Sequence, residues 1–270
     1  MASETFIFEG HSIVCQRIGE SGPALALIHG TPFSSRVWHR IAPVLAARFR
    51  VHLFDLLGYG QSEKPDGDVS LGVQNRLWAA LYGHWGLASD LPFVIAHDFG
   101  GATALRGHLL NGLAYRKLLL IDPVAIRPWG SPFVAHVRDH EAGFAGVPDY
   151  IQRAILAVYL RSALHRPITD EALAQYVEPW TGPEGQAAFY RQIAQMDMAY
   201  TDEVEPRYGD IACPVSILWA EEDQWIPIEI GRRLADMIPK ARFTPVADAG
   251  HLMQEDAPEA ILAEALRFFG

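Results

Sequence analysis

The sequence predicts an α/β fold in which helices cover both faces of a mostly parallel sheet. Short apolar runs without polar alternation, such as residues 24–28 and 117–121, are typical of strands that are buried on both faces. These runs alternate with stretches that suit helices, which is the order expected for a covered parallel sheet. In residues 93–106 a strand turns into a helix within a few small residues.

The elements can be justified in order along the chain. Residues 5–8 and 12–18 are predicted to be strands of a hairpin, because strand-forming residues flank the turn signal Glu9-Gly10. An amphipathic pattern predicts a helix over residues 38–47. The other predicted strands are 24–28, 51–54, 93–95, 117–121, 215–219 and 241–246, and the other predicted helices are 69–85, 228–237 and 258–269.

The alternation of strands and helices breaks between residues 127 and 208, which are helix-rich and carry many aromatic and histidine residues. This interruption predicts a helical lid of residues 127–208 inserted into a core made of residues 1–126 and 209–270. Lids of this kind close over a pocket and exclude water.

Composition narrows the choice of partners and of compartment. The 270 residues carry a formal net charge of -10, which disfavours nucleic acid and anionic membrane surfaces. Cys15 and Cys213 lie in strand-like runs and are expected to be buried thiols. We expect no signal peptide, no membrane-spanning run and hence a cytoplasmic protein. The scattered histidines show no metal-ligand spacing, so neither a metal nor a cofactor is expected.

Asp98 stands at the apex of the stretch 93–106, where the strand turns into the helix. Ala96 lies two residues before it and Gly100 two residues after it, which is the spacing of the nucleophile elbow G-x-S-x-G with Ala and Asp in place of Gly and Ser. The stretch resembles the α/β-hydrolase superfamily, and its Asp resembles the branch that contains haloalkane dehalogenases, haloacetate dehalogenases and epoxide hydrolases. The resemblance implies the α/β-hydrolase fold, with an inserted helical lid and with Asp98 as the nucleophile.

Three further stretches carry the same resemblance. Residues 55–65 match the strand-end pattern D-x-x-G-x-G-x-S, residues 219–227 resemble the loop of the catalytic acid, and residues 246–258 resemble the histidine loop. The resemblance assigns Asp223 as the acid and His251 as the base, in the chain order of this fold. Asp122, at the end of the strand after the elbow, is the alternative acid.

The loop that begins His29-Gly30 resembles the one that supplies an oxyanion-hole amide in this superfamily. By that resemblance the backbone N–H groups of Thr31 and Phe99 form the oxyanion hole.

An aspartate nucleophile suits displacement at a saturated carbon. Attack by a carboxylate on an ester or amide carbonyl gives a reactive anhydride, whereas attack on an sp3 carbon gives an ordinary alkyl ester. His251 then takes a proton from water, and the water attacks the ester carbonyl of Asp98. The oxyanion that forms on Asp98 faces the two amides. The sequence therefore predicts a cofactor-free hydrolase that acts on a small hydrophobic organic substrate and water.

The leaving group is the open question. Many haloalkane dehalogenases have Trp after the nucleophile and often Asn after His-Gly, and haloacetate dehalogenases have Arg after the nucleophile, whereas this chain has Phe99 and Thr31. Trp129 or Trp180 in the lid are the candidate halide donors. Tyr190, within Phe-Tyr-Arg, resembles the second of the two lid tyrosines with which epoxide hydrolases protonate the opening ring.

The first lid tyrosine has only two poorly placed candidates, Tyr150 and Tyr159. A haloalkane dehalogenase-like activity is therefore placed first, and an epoxide hydrolase is the alternative. A binding protein of the same fold without catalysis is a third hypothesis, against which the presence of Asp98, Asp223 and His251 argues. Monomer and homodimer both stay open.

Overall fold

A computed structural model describes residues 2–270. Within them eight strands form one sheet in the order β1-β2-β4-β3-β5-β6-β7-β8. β1 and β2 form the predicted antiparallel hairpin, and β2 also pairs antiparallel with β4, while all later neighbours are parallel. The strands are β1 Ala2–Phe8, β2 His11–Ile18, β3 Ala24–Ile28, β4 Arg50–Phe54, β5 Phe93–His97, β6 Lys117–Ile121, β7 Val215–Ala220 and β8 Arg242–Val246.

Strand order explains where the site forms. The chain leaves β3 for β4 on one side and then returns to place β5 on the other side of β3. Loops that leave the carboxyl ends of β3 and β5 therefore diverge around a crevice, which is where open parallel sheets bind ligands. β3 and β5 are buried along their whole length, so the two loops start from a rigid base.

The helices of the core confirm the predicted alternation with one exception. They are α1 Ala42–Leu45, α2 Leu71–His84, α3 Phe99–Asn111, and, after the helical insertion described below, α9 Ile228–Met237, α10 Met253–Asp256 and α11 Pro258–Phe269. The helix predicted over residues 38–47 was wrong: a 3-10 turn Ser35–Trp38 precedes the short α1. Pro43 lies in the first turn of α1, and a proline cannot sit in the interior of a longer helix.

Between β6 and β7 the chain forms five helices: α4 Pro132–Ala145, α5 Asp149–Arg161, α6 Asp170–Val177, α7 Gly182–Ala194 and α8 Ala199–Asp202. We call residues 127–208 the helical insertion. It is tied to the core by the indole N–H of Trp180, which donates to the carbonyl of Pro32 at 2.7 Å, and by the 2.8 Å bond from Arg106 to Glu203. In residues 2–270 we find no helix long and apolar enough to cross a bilayer.

Candidate active site

Asp98 lies at the sharp turn between β5 and α3. Its backbone has φ 51° and ψ -120°, a conformation that costs a non-glycine residue roughly 1–3 kcal/mol and that is found mainly at functional sites. The turn is possible because the neighbours are small. A Cβ atom on Gly100 would lie 2.3 Å from the carbonyl oxygen of Ile28. The carboxyl of Asp98 is thereby held above the carboxyl ends of the strands, and only 3% of the residue is exposed.

The loop after β3 supplies one donor to this carboxyl. The backbone N–H of Thr31 donates to Oδ1 of Asp98 at 2.6 Å. Gly30 permits the approach, since a Cβ there would lie 2.3 Å from Cβ of Asp98. The second predicted oxyanion donor, the N–H of Phe99, belongs to the first residue of α3. Thr31 and Phe99 line the same cavity as Asp98.

His251 lies between two carboxyl groups. Its Nδ1 is 2.8 Å from Oδ2 of Asp223, and its Nε2 is 3.4 Å from Oδ2 of Asp98. Oδ1 of Asp223 accepts the backbone N–H groups of Trp225 and Ile226 at 2.7 and 3.0 Å. Asp223 is therefore held by its own loop while it orients the imidazole. The structure brings together the three residues that the sequence assigned to the triad.

Asp122, the alternative acid, makes a different contact. Its Oδ1 accepts the backbone N–H of Ala220 at 2.8 Å, and its Oδ2 has no hydrogen-bond partner among residues 2–270. Burial and, next, the negative charge of Asp223 raise the pKa of Asp122 well above its ordinary value. Both effects favour the neutral form of the Asp122 carboxyl, and the carboxyl that contacts Nδ1 of His251 is that of Asp223.

The two carboxylates determine the protonation of His251. Burial by itself would lower the pKa of the imidazole, but the charge and hydrogen bond of Asp223 and the nearby Asp98 outweigh it and raise the pKa well above the ordinary value. The two carboxyl groups therefore favour the charged form of the imidazole. Next to it, His97 donates through Nε2 to the carbonyl oxygen of His251 at 2.9 Å, and burial lowers the pKa of His97 to about 3.

A small cavity of about 30 Å³ lies over Asp98. That volume holds a water molecule or two, so a substrate needs side chains to move. The wall is mostly apolar and aromatic, and it comes from the core loops and from the helical insertion. Besides Thr31, Asp98 and Phe99 it comprises Val124, Trp129, Gly130, Ser131, Val134, Tyr159, Met196, Trp225 and Ile226.

The leaving-group residues proposed from the sequence do not gather at this cavity. Trp129 lines it, but the indole N–H of Trp129 donates to Oγ1 of Thr201 at 2.9 Å. Trp180 and Tyr190 are not part of the wall. The N–H of Trp180 donates to Pro32, and the hydroxyl of Tyr190 donates to Oε1 of Gln152.

Sequence reasoning underrated two aromatic residues of the wall. Tyr159 was judged poorly placed, yet its ring stacks on Trp225 with centroids 4.6 Å apart, and Trp225 in turn lies 4.9 Å from the imidazole of His251. Burial, and next the negative charge of Asp98, raise the pKa of Tyr159. Trp225 follows the acid by two residues, which was the signal in the sequence for its place at the site.

Gln192 on α7 is a further residue that the sequence did not reveal. Its Oε1 accepts the hydroxyl of Thr31 at 2.7 Å and the hydroxyl of Tyr59 at 2.9 Å. The helical insertion is therefore hydrogen-bonded to the same residue whose backbone N–H holds Asp98. Nothing in the sequence singled it out, because Gln186, Arg191 and Gln195 are polar residues of the same stretch.

The fold and this arrangement of carboxylate, imidazole and second carboxylate define a hydrolase. A family model described as the alpha/beta hydrolase family matches residues 25–265, and the chain belongs to that family. The chain is 26% identical over 260 residues to a haloalkane dehalogenase of Mesorhizobium japonicum, covering 90% of this chain and 83% of the relative. It is 28% identical over 268 residues to a soluble epoxide hydrolase of a Corynebacterium species, covering 92% of this chain and 91% of the relative.

Among solved structures, an alpha/beta hydrolase fold protein from Burkholderia ambifaria has a TM-score of 0.94 and 54% identity to this chain. The match covers 98% of this chain and 97% of that protein.

Proposed function

We propose that the protein hydrolyses a substrate at a saturated carbon through a covalent alkyl ester on Asp98, and that its substrate is an epoxide. The observation that carries the ester mechanism is the placing of the Asp98 carboxyl between the Thr31 amide at 2.6 Å and the His251 Nε2 at 3.4 Å. One oxygen is held by the amide, and the other faces the imidazole. An aspartate in a small, mostly apolar cavity is suited to attack an uncharged carbon electrophile.

The charges support the order of the two half-reactions. In the first, a carboxylate oxygen of Asp98 bonds to the substrate carbon and the carbon–oxygen bond of the ring breaks. Asp98 then becomes a neutral ester, so one of the two negative charges that raise the pKa of His251 disappears. The pKa of the imidazole then falls, so His251 can give up its proton to solvent and act as the base in the second half-reaction, when water needs to lose its proton.

The second half-reaction uses the same groups. His251 takes one proton from water, and the hydroxide formed attacks the carbonyl carbon of the ester. Negative charge develops on an Asp98 oxygen beside the Thr31 amide, where a fixed donor stabilises it. Collapse breaks the bond to the substrate oxygen, which takes the proton from His251 and leaves as the alcohol. The carboxylic acid left on Asp98 releases its remaining proton to solvent, which regenerates the carboxylate.

The donors of the cavity favour an epoxide over a halide. The indole N–H groups of Trp129, Trp180 and Trp225 donate to Thr201, Pro32 and Ser162, and none of these partners lines the cavity. Tyr159 does line it, and its pKa is raised by burial and, next, by the negative charge of Asp98. An alkoxide needs a proton when the ring opens, and a tyrosine hydroxyl can supply it and recover it from water.

A haloalkane dehalogenase activity is the second candidate. The small and mostly apolar cavity of about 30 Å³ suits a short haloalkane, and a halide leaves without a proton. In both cases we propose that residues 127–208 act as the lid, since Trp129, Tyr159 and Met196 from this segment complete the wall.

Intact-protein mass spectrometry of His251→Gln distinguishes the two chemistries. Without the base, the ester on Asp98 accumulates. An epoxide adds its whole mass to the protein, whereas a haloalkane adds its mass less that of the hydrogen halide. A panel of epoxides, haloalkanes and haloacetates is incubated with the variant, and peptide mapping locates the adduct.

Two controls accompany this experiment. The double variant Asp98→Ala/His251→Gln should stay unmodified, and His136→Gln, which changes an exposed histidine on α4, should turn over without an adduct. Steady turnover by His251→Gln without any adduct would contradict the proposal.

A further inference from the structure

Met196 separates the cavity over Asp98 from an open cleft on the surface. The cleft has a volume of about 700 Å³ and is lined by Asp68, Ser70, Arg138, Ala194, Gln195, Met196, Asp197 and Tyr200. Met196 is the one residue that this wall shares with the wall of the 30 Å³ cavity. Met196, of which 6% is exposed, is therefore the residue at which the cleft meets the wall of the cavity over Asp98.

Helix α4 shows that the cleft and the cavity lie next to each other along one face. Val134 lines the cavity and Arg138 lines the cleft. These residues are four apart in the helix, so their side chains lie one above the other at neighbouring turns. Arg138, Met196 and Val134 therefore lie along the boundary between the cleft and the cavity.

The backbone on both sides of Met196 is fixed by hydrogen bonds. The side chain of Gln195 accepts the N–H of Val69 at 2.7 Å and donates to the carbonyl of Gly67 at 3.0 Å. The side chain of Asp197 accepts the N–H of Ala199 at 2.8 Å. Movement of the loop would break these bonds, whereas rotation of the Met196 side chain breaks none. Methionine is unbranched and has three rotatable bonds, so it is suited to that movement.

We propose that the Met196 side chain is the gate through which substrates enter the cavity, and that it limits how wide the reacting end of a substrate can be. This inference deepens the proposed function, on which it rests for the identity of the substrate. The route favours a substrate with a narrow apolar reacting end. Its remainder extends into the cleft beside Arg138, Asp68 and Asp197.

The gate can be tested without any turnover. In a Val134→Cys reporter the thiol lies in the cavity wall, and methyl methanethiosulfonate converts it to a methyl disulfide with release of methanesulfinate. The labelling rate is followed by intact mass, with Met196 retained or changed to Ala or Phe. Protein without the reporter gives the background from Cys15 and Cys213, which are buried.

We expect Met196→Ala to label faster than the parent reporter and Met196→Phe to label more slowly. Minor conformers are commonly populated at up to about 10%, so removal of the gate should raise the rate at least about tenfold. Met198→Ala is the matched control, because Met198 is a half-buried neighbour that belongs to neither wall. Circular dichroism checks that each variant is folded. If Met196→Ala does not fold, the labelling rate of Met196→Phe still tests the gate.

Equal labelling rates in the parent, Met196→Ala and Met196→Phe overturn the gate, and so does equal acceleration by Met198→Ala. The labelling result is independent of the chemistry at Asp98. Faster labelling together with no adduct in His251→Gln supports the gate and contradicts the proposed function. An adduct together with unchanged labelling supports the proposed function and contradicts the gate. Where a substrate is found, Met196→Ala should also raise kcat/KM more for branched substrates than for linear ones.

Discussion

Asp223 and Asp122 provide a sharp test, because the same substitution should have very different consequences at the two positions. We expect Asp223→Asn to abolish hydrolysis of the Asp98 ester and Asp122→Asn to leave it nearly unchanged. Both residues are buried, so the two substitutions should disturb packing to a similar extent. The difference lies in their charges and hydrogen bonds.

Asn cannot replace Asp223 in its hydrogen bonds. One oxygen of Asp223 accepts the two amides of Trp225 and Ile226, and the other contacts Nδ1 of His251. An amide group must turn its NH₂ either towards those N–H donors or towards His251, where it stabilises the wrong tautomer. The equivalent Asp→Asn change in a serine protease lowers kcat about 10⁴-fold, or about 5.5 kcal/mol of activation free energy, and we expect a loss of that order.

Asn fits well at Asp122. Burial and the charge of Asp223 favour the neutral form of this carboxyl, and an amide is close in shape to a neutral acid. Its carbonyl oxygen can still accept the N–H of Ala220, the bond made at 2.8 Å by Oδ1. We therefore expect a rate loss of less than about tenfold, the size of a single modest hydrogen-bond change.

Single-turnover experiments with rapid quenching measure both half-reactions on whichever substrate the panel identifies. Formation of the adduct reports the attack by Asp98, and its decay reports hydrolysis. Asp223→Asn should form the adduct and then retain it, while Asp122→Asn should form and release it. Equal slowing of adduct decay in both variants would refute the assignment of Asp223 as the sole acid, and normal decay in Asp223→Asn would refute it outright.

Three further predictions follow from the same geometry. Asp98→Ala should abolish turnover of every substrate while far-UV circular dichroism stays unchanged; any retained activity rules out this nucleophile. Tyr159→Phe should slow ring opening about 10²-fold. Tyr190→Phe should leave the single-turnover rate unchanged and cost about 1 kcal/mol of stability through the lost hydrogen bond to Gln152. The reverse pattern would make Tyr190 the proton donor. The free energy of unfolding should fall by about 3 kcal/mol between pH 7 and pH 4 through His97 alone. The reason is that the folded pKa of His97, about 3, lies below its unfolded value. Urea unfolding of His97→Gln at the two pH values checks this, and an undiminished pH dependence counts against it.

The sequence predicted the core of the fold well because the core depends on local patterns. Buried strands such as β3 and β5 are continuous apolar runs, and the turn at Asp98 needs small neighbours that are visible in the sequence. The helix over residues 38–47 failed for a local reason, since an amphipathic pattern there outweighed the signal from Pro43. The proximity of Asp98, Asp223 and His251 could be predicted because each follows a strand whose carboxyl end lies at the same edge of the sheet, while their catalytic roles stay a prediction.

The wall of the cavity could not be predicted in this way. Tyr159, Met196 and Gln192 lie in the helical insertion, where the spacing of residues along the chain does not tell which helix face meets the core. Tyr190 and Trp180 looked suitable by resemblance, yet their polar atoms are used by Gln152 and Pro32. Which hydroxyl faces the cavity is decided by how the helices pack.

The bonds of Gln192 have a consequence for the timing of catalysis. They join α7 to Thr31 and Tyr59, and Thr31 also carries the amide that holds Asp98. Withdrawal of α7 from the core removes the acceptor of the Thr31 hydroxyl and frees the loop on which the oxyanion depends. Under the proposed mechanism, a protein in which α7 has moved away to release a bulky product would be unable to hydrolyse the next ester until α7 returned. Product release and ester hydrolysis would then alternate, and for large substrates the slower of the two would set the turnover rate.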